Sequence, residues 1–340
     1  MRMSVVDVGS HTVRLAIADT EAGAPLPVHT AKRRLRLAQL VEGDGRIRGR
    51  NIDKVVRAVA DARQEALDRG ADEPFAFATA IVRDAPNREQ VLDAVYTRTG
   101  VRLRVLPGEL EAGLTFLAAR RWMGWRTGPL LVLDIGGGSL EVAFGRGRVP
   151  DFALSLPLGA SRLTRDHLRG EDPPDLATLK ALRRVIRHEL RDVAARVRWE
   201  APHTAAATSR TFGQLARLCG AAPGRQGPFV QRELPRRELR QAIDRLAELP
   251  SQERAQLPGI SAPRAAQALA GALVGHTAMK LMGIDRLTVC PWAVREGILL
   301  RHIEEGGAWW DSLTLPPAQV PPGAFPGEES VRQLRLAPRP

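Results

Sequence analysis

The sequence predicts an α/β fold of two related domains, chiefly because one segment pattern occurs twice. SVVDVGSHTVRL (residues 4–15) and LLVLDIGGGSLEV (residues 130–142) each contain an apolar run that ends in an aspartate, then a Gly/Ser turn and a second apolar run. This pattern is typical of a buried strand, a tight turn and a returning strand. The aspartates, Asp7 and Asp134, lie 127 residues apart, so we expect two domains rather than one hairpin.

Strands and amphipathic helices alternate along both halves of the chain, which favours a mixed sheet in each domain. Strands are predicted at 4–7, 13–19, 34–40, 75–79 and 102–106, and helices at 52–69, 89–98 and 111–122. The pattern restarts with strands at 130–134, 140–145, 149–156 and 286–289, and with helices at 176–197, 236–249, 262–282 and 293–305. We expect domains over residues 1–127 and 128–305, and a disordered, proline-rich tail over 306–340.

Composition narrows the class of protein. The 340 residues are 44% hydrophobic, enough to bury substantial cores in two domains. No apolar run approaches the roughly 20 residues of a membrane span, and the N-terminus lacks the layout of a signal peptide. A cytoplasmic location without membrane contact is therefore expected. The two cysteines, Cys219 and Cys290, supply neither a disulfide framework nor a metal-binding cluster.

The net charge of +12 comes almost entirely from arginine, since only four of the 50 basic residues are lysines. Composition bias with solvated helix faces is one reading, and a polyanionic partner is the other, because arginines bind phosphates in bidentate fashion. Nucleic acid is not an expected partner: no zinc finger, helix-turn-helix or aromatic RNA-binding motif is evident, and aromatic residues make up 4% of the chain. A polyanion that enters an active site fits better.

The two repeated segments predict a site for phosphate and metal. Asp7 and Asp134 end equivalent strands, where their oxygens can hold Mg²⁺ while positions stay free for phosphate, although either aspartate alone could merely cap a turn. Backbone amides and hydroxyls of the two turns can hold phosphate oxygens. The predicted phosphate-binding residues of these turns are Gly9, Ser10, His11 and Thr12, then Gly136, Gly137, Gly138 and Ser139.

Five blocks in order carry a family resemblance: DVGSHTVRL, ATAIVRDAPN, PGELEAGLTFL, LDIGGGSLEV and LSLPLGASRLT. They resemble the exopolyphosphatase/guanosine pentaphosphate phosphatase (Ppx/GppA) family of the actin/sugar-kinase/Hsp70 superfamily. The similarity continues through ATSRTFGQLARL, LPGISAPRAAQALAGALV and CPWAVREGILLR, and the chain looks most like the short, two-domain exopolyphosphatases of actinobacteria. The resemblance implies two ribonuclease H-like domains with a cleft between them.

The resemblance also implies catalytic roles. Glu111 matches the family's presumed general base, which activates water, and Arg83 matches an arginine that neutralises charge on the transferring phosphoryl group. Without the family, Glu111 would be read as complementing a helix dipole and Arg83 as a surface residue. Glu141 resembles a family glutamate that helps to hold metal (Mg²⁺ or Mn²⁺, together with Asp7 and Asp134) or water. The alternative interpretation is that Glu141 is an exposed polar residue on a strand.

Several residues depart from the family pattern. His11 stands where the family more often has Asn, which suggests an altered pH response, and Leu110 replaces a glutamate beside the presumed base. Arg210 occupies a turn where many members have Gly, which adds a phosphate-binding charge near the cleft. Pro291 and Trp292 replace a more flexible, polar pair. The changes at 210, 291 and 292 weaken any inference of a purine-binding pocket.

The leading functional hypothesis is metal-dependent release of terminal orthophosphate from linear inorganic polyphosphate. Hydrolysis of guanosine pentaphosphate is an alternative, and guanosine penta- or tetraphosphate could be a substrate or an inhibitor. A kinase or chaperone-type ATPase of the same superfamily is a further enzyme class. The non-enzyme alternative is a polyphosphate- or alarmone-binding regulator with weak activity. A homodimer is left open, because no residue pattern decides the oligomeric state.

Overall fold

The computed structural model describes residues 2–20, 25, 27–35, 37 and 44–313, and its framework is a pair of mixed β-sheets. The first sheet has the strand order β3-β2-β1-β4-β5, in which β1, β2 and β3 are antiparallel neighbours and β4 and β5 run parallel to β1. Its strands are β1 (Arg2–Val8), β2 (Thr12–Asp19), β3 (Pro27–Arg34), β4 (Phe75–Ala78) and β5 (Arg104–Val105).

The second sheet repeats this arrangement and adds one edge strand, in the order β10-β11-β9-β6-β7-β8. Here β6, β7 and β8 are antiparallel neighbours, while β9 and β11 run parallel to β6. Its strands are β6 (Leu130–Ile135), β7 (Leu140–Gly145), β8 (Phe152–Leu156), β9 (Thr204–Thr208), β10 (Glu233–Pro235) and β11 (Arg286–Val289).

Helices cover both sheets. Those of the first half are α1 (Gly49–Asp68), α2 (Ala80–Arg83), α3 (Arg88–Thr99) and α4 (Gly108–Met123). Those of the second half are α5 (Ala160–His167), α6 (Leu176–Glu200), α7 (Ser209–Leu218), α8 (Arg236–Glu248), α9 (Ser251–Arg254), α10 (Ala265–Met282), α11 (Val294–Glu305) and α12 (Ala308–Asp311). The apolar faces of these helices pack against the sheets and form the two hydrophobic cores, as expected for amphipathic helices.

Two helices pack on the sheet of the opposite half. Helix α4 packs on the second sheet through Phe116, which is buried against Leu130 and Val132 of β6. Helix α11 packs on the first sheet, where Ile298 is buried with Val5 of β1. A domain boundary at residue 127 stays a prediction. Because each half of the chain contributes a helix to the sheet of the other half, a single cut in the sequence does not separate the two hydrophobic cores.

Most predicted elements are confirmed within a few residues, but one strand is wrong. The sequence predicts a strand over residues 34–40, but the observed strand β3 ends at Arg34 and Leu37 is helical. Residues 36 and 38–40 lie outside the described part of the chain. The disorder predicted from residue 306 onward is wrong for Ala308–Asp311, which form helix α12 and pack Trp310 into the core. Residues 314–340 lie outside the described part. Among the described helices, none has the length and apolarity needed to cross a membrane.

Candidate functional site

Each of the two repeated segments forms the same tight turn at the end of a central strand. The amide of Gly9 donates to the carbonyl of Thr12 (3.0 Å), and the amide of Gly136 donates to the carbonyl of Ser139 (2.9 Å). These bonds close the β1–β2 and β6–β7 connections. The predicted repeat of strand, turn and strand is therefore confirmed in both sheets.

The two turns lie against each other, so the halves of the molecule meet at the predicted site. Gly137 packs so close to Ser10 that a Cβ at residue 137 would overlap the serine side chain. A further link is the ion pair between Arg162 and Asp84, with 3.1 Å between guanidinium nitrogen and carboxylate oxygen. A cavity of about 60 Å³ lies at this junction and is lined by residues of both turns. Of the predicted turn residues, Ser10, Gly137 and Gly138 line this cavity.

Asp134 and Glu141 are direct neighbours across strands β6 and β7. The Thr208 hydroxyl donates to Asp134 from the adjacent strand β9, and the Ser155 hydroxyl donates to Glu141 over 3.0 Å from β8. Burial raises the pKa of Asp134 to about 6, and Asp7 adds to this shift. Burial, together with the charge of Asp134, raises the pKa of Glu141 to about 7. Glu141 is thus buried and not an exposed strand position, and its role in the site stays a prediction.

Glu111 lies in the first turn of α4 and pairs with Arg83, with 3.2 Å between Oε2 and Nη1. The side chains are only 12% and 15% exposed. Burial raises the pKa of Glu111 well above its usual range; Glu141 raises it further, while Arg83 opposes the shift. Arg83 also donates to the carbonyl of Leu106 (3.3 Å), which fixes the guanidinium at the start of α4.

A glycine sets the distance between α4 and the second sheet. Gly108, the first residue of α4, packs against Ser155 so closely that a Cβ there would overlap the serine side chain. Ser155 is also the partner of Glu141. The close contact therefore brings Glu111, three residues along the helix, towards the acids of the second sheet.

Asp7 faces cations as well as the neighbouring acids. Its Oδ2 lies 3.9 Å from Nε of Arg295, and it is opposite Arg14 in the β1–β2 register. Burial raises the pKa of Asp7, and Arg295 and Arg14 oppose the shift. The structure therefore places one aspartate of the repeat in a mixed environment and the other, Asp134, beside a second acid.

The acids of the site offer hard oxygen donors to a cation. Within the described part of the chain, no three His, Cys, Asp or Glu side chains converge closely enough to hold a metal ion by themselves. The predicted ligands Asp7, Asp134 and Glu141 therefore do not form a complete protein cage. Mg²⁺ suits such a site, because it commonly uses one or two carboxylates and completes its shell with water and phosphate oxygens. The buried acids also repel one another, and a bound cation would relieve that repulsion.

His11 joins the two halves of the molecule. Its Nε2 lies 2.8 Å from Oε1 of Gln267 and 3.1 Å from the hydroxyl of Ser161. Burial lowers the pKa of His11 to about 4, and Arg264 and Lys32 lower it further, so the imidazole is neutral at pH 7. The Nε2 atom of His11 is thus already bound to protein groups, and a phosphate-binding role for His11 stays a prediction.

A second cavity, of about 240 Å³, opens beside the first turn and is strongly basic. We call it the basic cavity; it is lined by His11, Thr12, Lys32, Arg34, Arg210, Ser261, Pro263 and Arg264. In the register of β2 and β3, Arg14 lies directly opposite Lys32. Like charges in that position destabilise a sheet. A cluster that opposes folding in this way points to an anionic ligand.

The cations of the basic cavity repel one another. Burial lowers the pKa of Arg264 to about 10, and Arg14 and Arg210 contribute. Burial also lowers the pKa of Lys32, with contributions from Arg14, Arg210 and Arg264. Arg210 was predicted from the sequence, whereas Arg14, Lys32, Arg34 and Arg264 were missed, although Arg264 lies in the quoted block LPGISAPRAAQ.

Backbone strain occurs where the acidic site and the basic cavity meet. Ser209 has φ 78°, a left-handed conformation that costs a non-glycine residue of order 1–3 kcal/mol. It lies between Thr208, the partner of Asp134, and Arg210 of the basic cavity.

Trp292, one of the residues that depart from the family pattern, is buried against Trp122 with 5.3 Å between ring centroids. It does not line the basic cavity.

Comparison with known proteins identifies the family to which this chain belongs. The model of the Ppx/GppA phosphatase family matches residues 16–305, which is most of the chain. The chain belongs to this family. The resemblance read from the five sequence blocks is thereby confirmed, and so is the fold class of paired ribonuclease H-like sheets.

Individual Ppx/GppA relatives match over nearly the whole chain. An uncharacterized protein of Streptomyces coelicolor is 63% identical over 328 residues, which cover 94% of this chain and 98% of that protein. Exopolyphosphatase 1 of Mycobacterium tuberculosis is 43% identical over 345 residues, with 100% of both chains covered. The crystal structure of the Aquifex aeolicus Ppx/GppA family member superposes with a TM-score of 0.75 at 26% identity and covers 90% of this chain and 98% of that one.

Proposed function

We propose that this Ppx/GppA protein is an exopolyphosphatase, which releases terminal orthophosphate from linear polyphosphate. The observation that carries the proposal is the position of the Glu111–Arg83 pair among buried acids, at a junction that also adjoins a basic cavity. The similarity to Exopolyphosphatase 1 of Mycobacterium tuberculosis supports it. The proposal assigns hydrolysis to the acids and retention of the polyanion to the cations.

Glu111 is the proposed general base. Burial raises the pKa of Glu111 towards neutral pH, and this suits a group that accepts a proton from water. The water oxygen bonds to the terminal phosphorus, and the bridging P–O bond breaks. One water proton goes to Glu111, and the shortened chain leaves with the electron pair of the broken bond. The products are orthophosphate and a polyphosphate shorter by one unit.

Arg83 and the two turns are proposed to hold the terminal phosphoryl group. Arg83 remains charged next to Glu111 and can offset negative charge on the phosphoryl oxygens. The amides of Gly9 and Gly136 close the turns, and the other amides and hydroxyls of residues 10–12 and 137–139 can donate to the same oxygens without adding a full charge. These groups would orient the phosphorus for attack.

Asp7, Asp134 and Glu141 are proposed to hold Mg²⁺ or Mn²⁺ through their oxygens or through water. When bound, such a cation supplies charge that stabilises the developing negative charge on phosphate. Thr208 and Ser155 orient the carboxylates of Asp134 and Glu141 for this purpose.

The basic cavity is proposed to take the phosphates that follow the terminal one. Within the described residues its lining contains no Phe, Tyr or Trp side chain on which a purine could stack. This observation favours polyphosphate over guanosine pentaphosphate, which needs a place for its base. Phosphate release from long polyphosphate, tripolyphosphate and guanosine pentaphosphate, measured side by side, separates these substrates. The cytoplasmic location and the homodimer stay predictions.

The decisive variant for the proposed activity is Glu111→Gln, which keeps the shape of the side chain and removes the base. We expect phosphate release from polyphosphate to fall by about a hundredfold or more. Glu109→Gln is the matched control, because Glu109 is an exposed glutamate in the same helical turn. Full activity of Glu111→Gln, with an unchanged circular dichroism spectrum, would overturn the proposed role.

A further inference from the structure

A second basic surface lies on the outer side of the second sheet, away from the residues assigned above. It is a groove of about 530 Å³ along helix α6, lined by Arg184, Arg187, His188, Arg191, Ala194, Arg198 and Leu281. We call it the α6 groove. Arg184, Arg187 and Arg191 are three and four residues apart, and Arg198 follows after seven, so the four arginines share one face of the helix. From Arg184 to Arg198 this face extends over about 21 Å.

Among the described residues, no acid pairs with the arginines of the α6 groove. In the described part of the chain, no ion pair involves Arg184, Arg187 or Arg191, and no acid lines the groove. Elsewhere on the same helix, Arg196 pairs with Glu200 at 2.5 Å. The groove arginines therefore form a row of like charges that raises the energy of the free protein and that an anion would stabilise.

The neighbouring helices increase the positive charge of this region. Arg183 on α6, Arg240 on α8 and His276 and Lys280 on α10 lie close enough to influence one another electrostatically. Arg240 has Asp244 as a partner at 3.5 Å, and that acid does not line the groove. Basic side chains therefore lie on three neighbouring helices, with Asp244 as an acid among them.

We propose that the α6 groove is a second binding site for linear polyphosphate, separate from the catalytic cleft. The occupant is a chain of evenly spaced negative charges without bases, which matches a row of four arginines along about 21 Å of one helix face. Single-stranded nucleic acid fits less well, because among the described residues the groove lining contains no Phe, Tyr or Trp ring for base stacking. This inference rests on the proposed function for the identity of the polyanion.

Binding in the α6 groove would retain a long chain on the enzyme between successive cleavages. A short chain cannot occupy the cleft and the groove together, whereas a long one gains from both contacts through effective concentration. The groove therefore contributes to the affinity for long polyphosphate and not to the rate of the chemical step.

The test compares two triple variants of the full chain that remove equal charge. Arg184→Gln/Arg187→Gln/Arg191→Gln changes the groove. Arg50→Gln/Lys54→Gln/Arg57→Gln changes an exposed stripe of the same spacing on α1. We expect the groove variant to bind fluorescently labelled long-chain polyphosphate about tenfold more weakly, ~1.4 kcal/mol. Its KM for long chains should rise in parallel, while kcat and the KM for tripolyphosphate stay unchanged.

The outcomes separate this inference from the proposed function. Equal binding of long-chain polyphosphate by the groove and α1 variants would overturn the α6 site. If the groove variant lost binding of polyuridylate but retained binding of polyphosphate, the proposal would also be overturned, and the groove would be assigned to nucleic acid. Equilibrium binding with a chelator present needs no turnover, so it still tests the groove if the wild-type protein proves to release no phosphate. Unfolding temperatures of both variants show whether charge removal has disturbed the fold.

Discussion

The two repeated turns have the same backbone but opposite electrostatic surroundings. In the first sheet, Asp7 lies opposite Arg14, which in turn lies opposite Lys32. In the second sheet, the matching positions are Asp134 and Glu141, followed by a neutral residue, Ser155. The register positions are equivalent, so the difference lies in side-chain identity alone. One copy of the repeat has become basic and the other acidic.

This contrast suggests a division of roles between the two halves. The acidic copy, with Glu111 next to it, has raised carboxyl pKa values suited to accepting a proton and to binding a cation. The basic copy lines a cavity of like charges that needs an anion to neutralise it. A duplicated phosphate-binding turn can in this way serve hydrolysis on one side and retention of the remaining polyanion on the other.

The largest effect is expected from Glu141→Gln, which removes the second acid of the acidic copy. Because Glu141 raises the pKa of Glu111 and is a proposed metal ligand, kcat should fall by about a hundredfold or more. Steady-state phosphate release at saturating polyphosphate measures it. An unchanged kcat would mean that the acidic copy does not carry the chemistry.

Gly108→Ala tests the contact between α4 and the acidic copy. The added Cβ overlaps Ser155, so we expect a loss of about 1–3 kcal/mol in the free energy of unfolding and at least a tenfold loss of activity. Gly113→Ala is the control on the same helix, because its nearest neighbour, Pro150, would lie 3.9 Å away. Chemical denaturation should show that variant to be as stable as the wild type or more so. Equal behaviour of the two variants would contradict the close packing.

Lys32→Gln tests whether the basic copy is arranged for binding at the expense of stability. Removing one of two opposed cations should stabilise the protein by about 0.2–1 kcal/mol while raising KM for polyphosphate several-fold. Lys54→Gln, on the exposed face of α1, should change neither quantity. A loss of stability in Lys32→Gln would show that Lys32 has a structural partner instead.

The smallest effect concerns pH and metal. Carboxyls whose folded pKa is raised favour the protonated form, so their contribution to stability falls as pH rises from about 4, the usual carboxyl value, towards 7. The metal-free protein should lose stability over that interval. The increase in unfolding temperature on adding Mg²⁺ should therefore be larger at pH 8 than at pH 5. A gain independent of pH would disconnect the metal from Asp134 and Glu141.

The sequence predicted the acidic copy better than the basic one, for a physical reason. Asp134 and Glu141 lie within a single hairpin, so their proximity follows from local alternation. The pairing of Arg14 with Lys32 depends on the position of β3, which was predicted over residues 34–40 and is observed at Pro27–Arg34. That error concealed the opposition of two cations.

Longer-range features could not be read from the sequence at all. The contacts of His11 with Ser161 and Gln267 join residues 150 and 256 positions apart. The basic cavity likewise brings together β3 and the segment before α10. Neither has a local pattern, since both depend on how the two sheets pack.

The most direct test of the division of roles is a comparison of kcat and KM for Glu141→Gln and Arg264→Gln on long-chain polyphosphate. The account predicts that Glu141→Gln lowers kcat with little change in KM. It predicts that Arg264→Gln raises KM about tenfold with little change in kcat. If both variants change the same parameter to a similar extent, the two copies of the turn do not have separate roles.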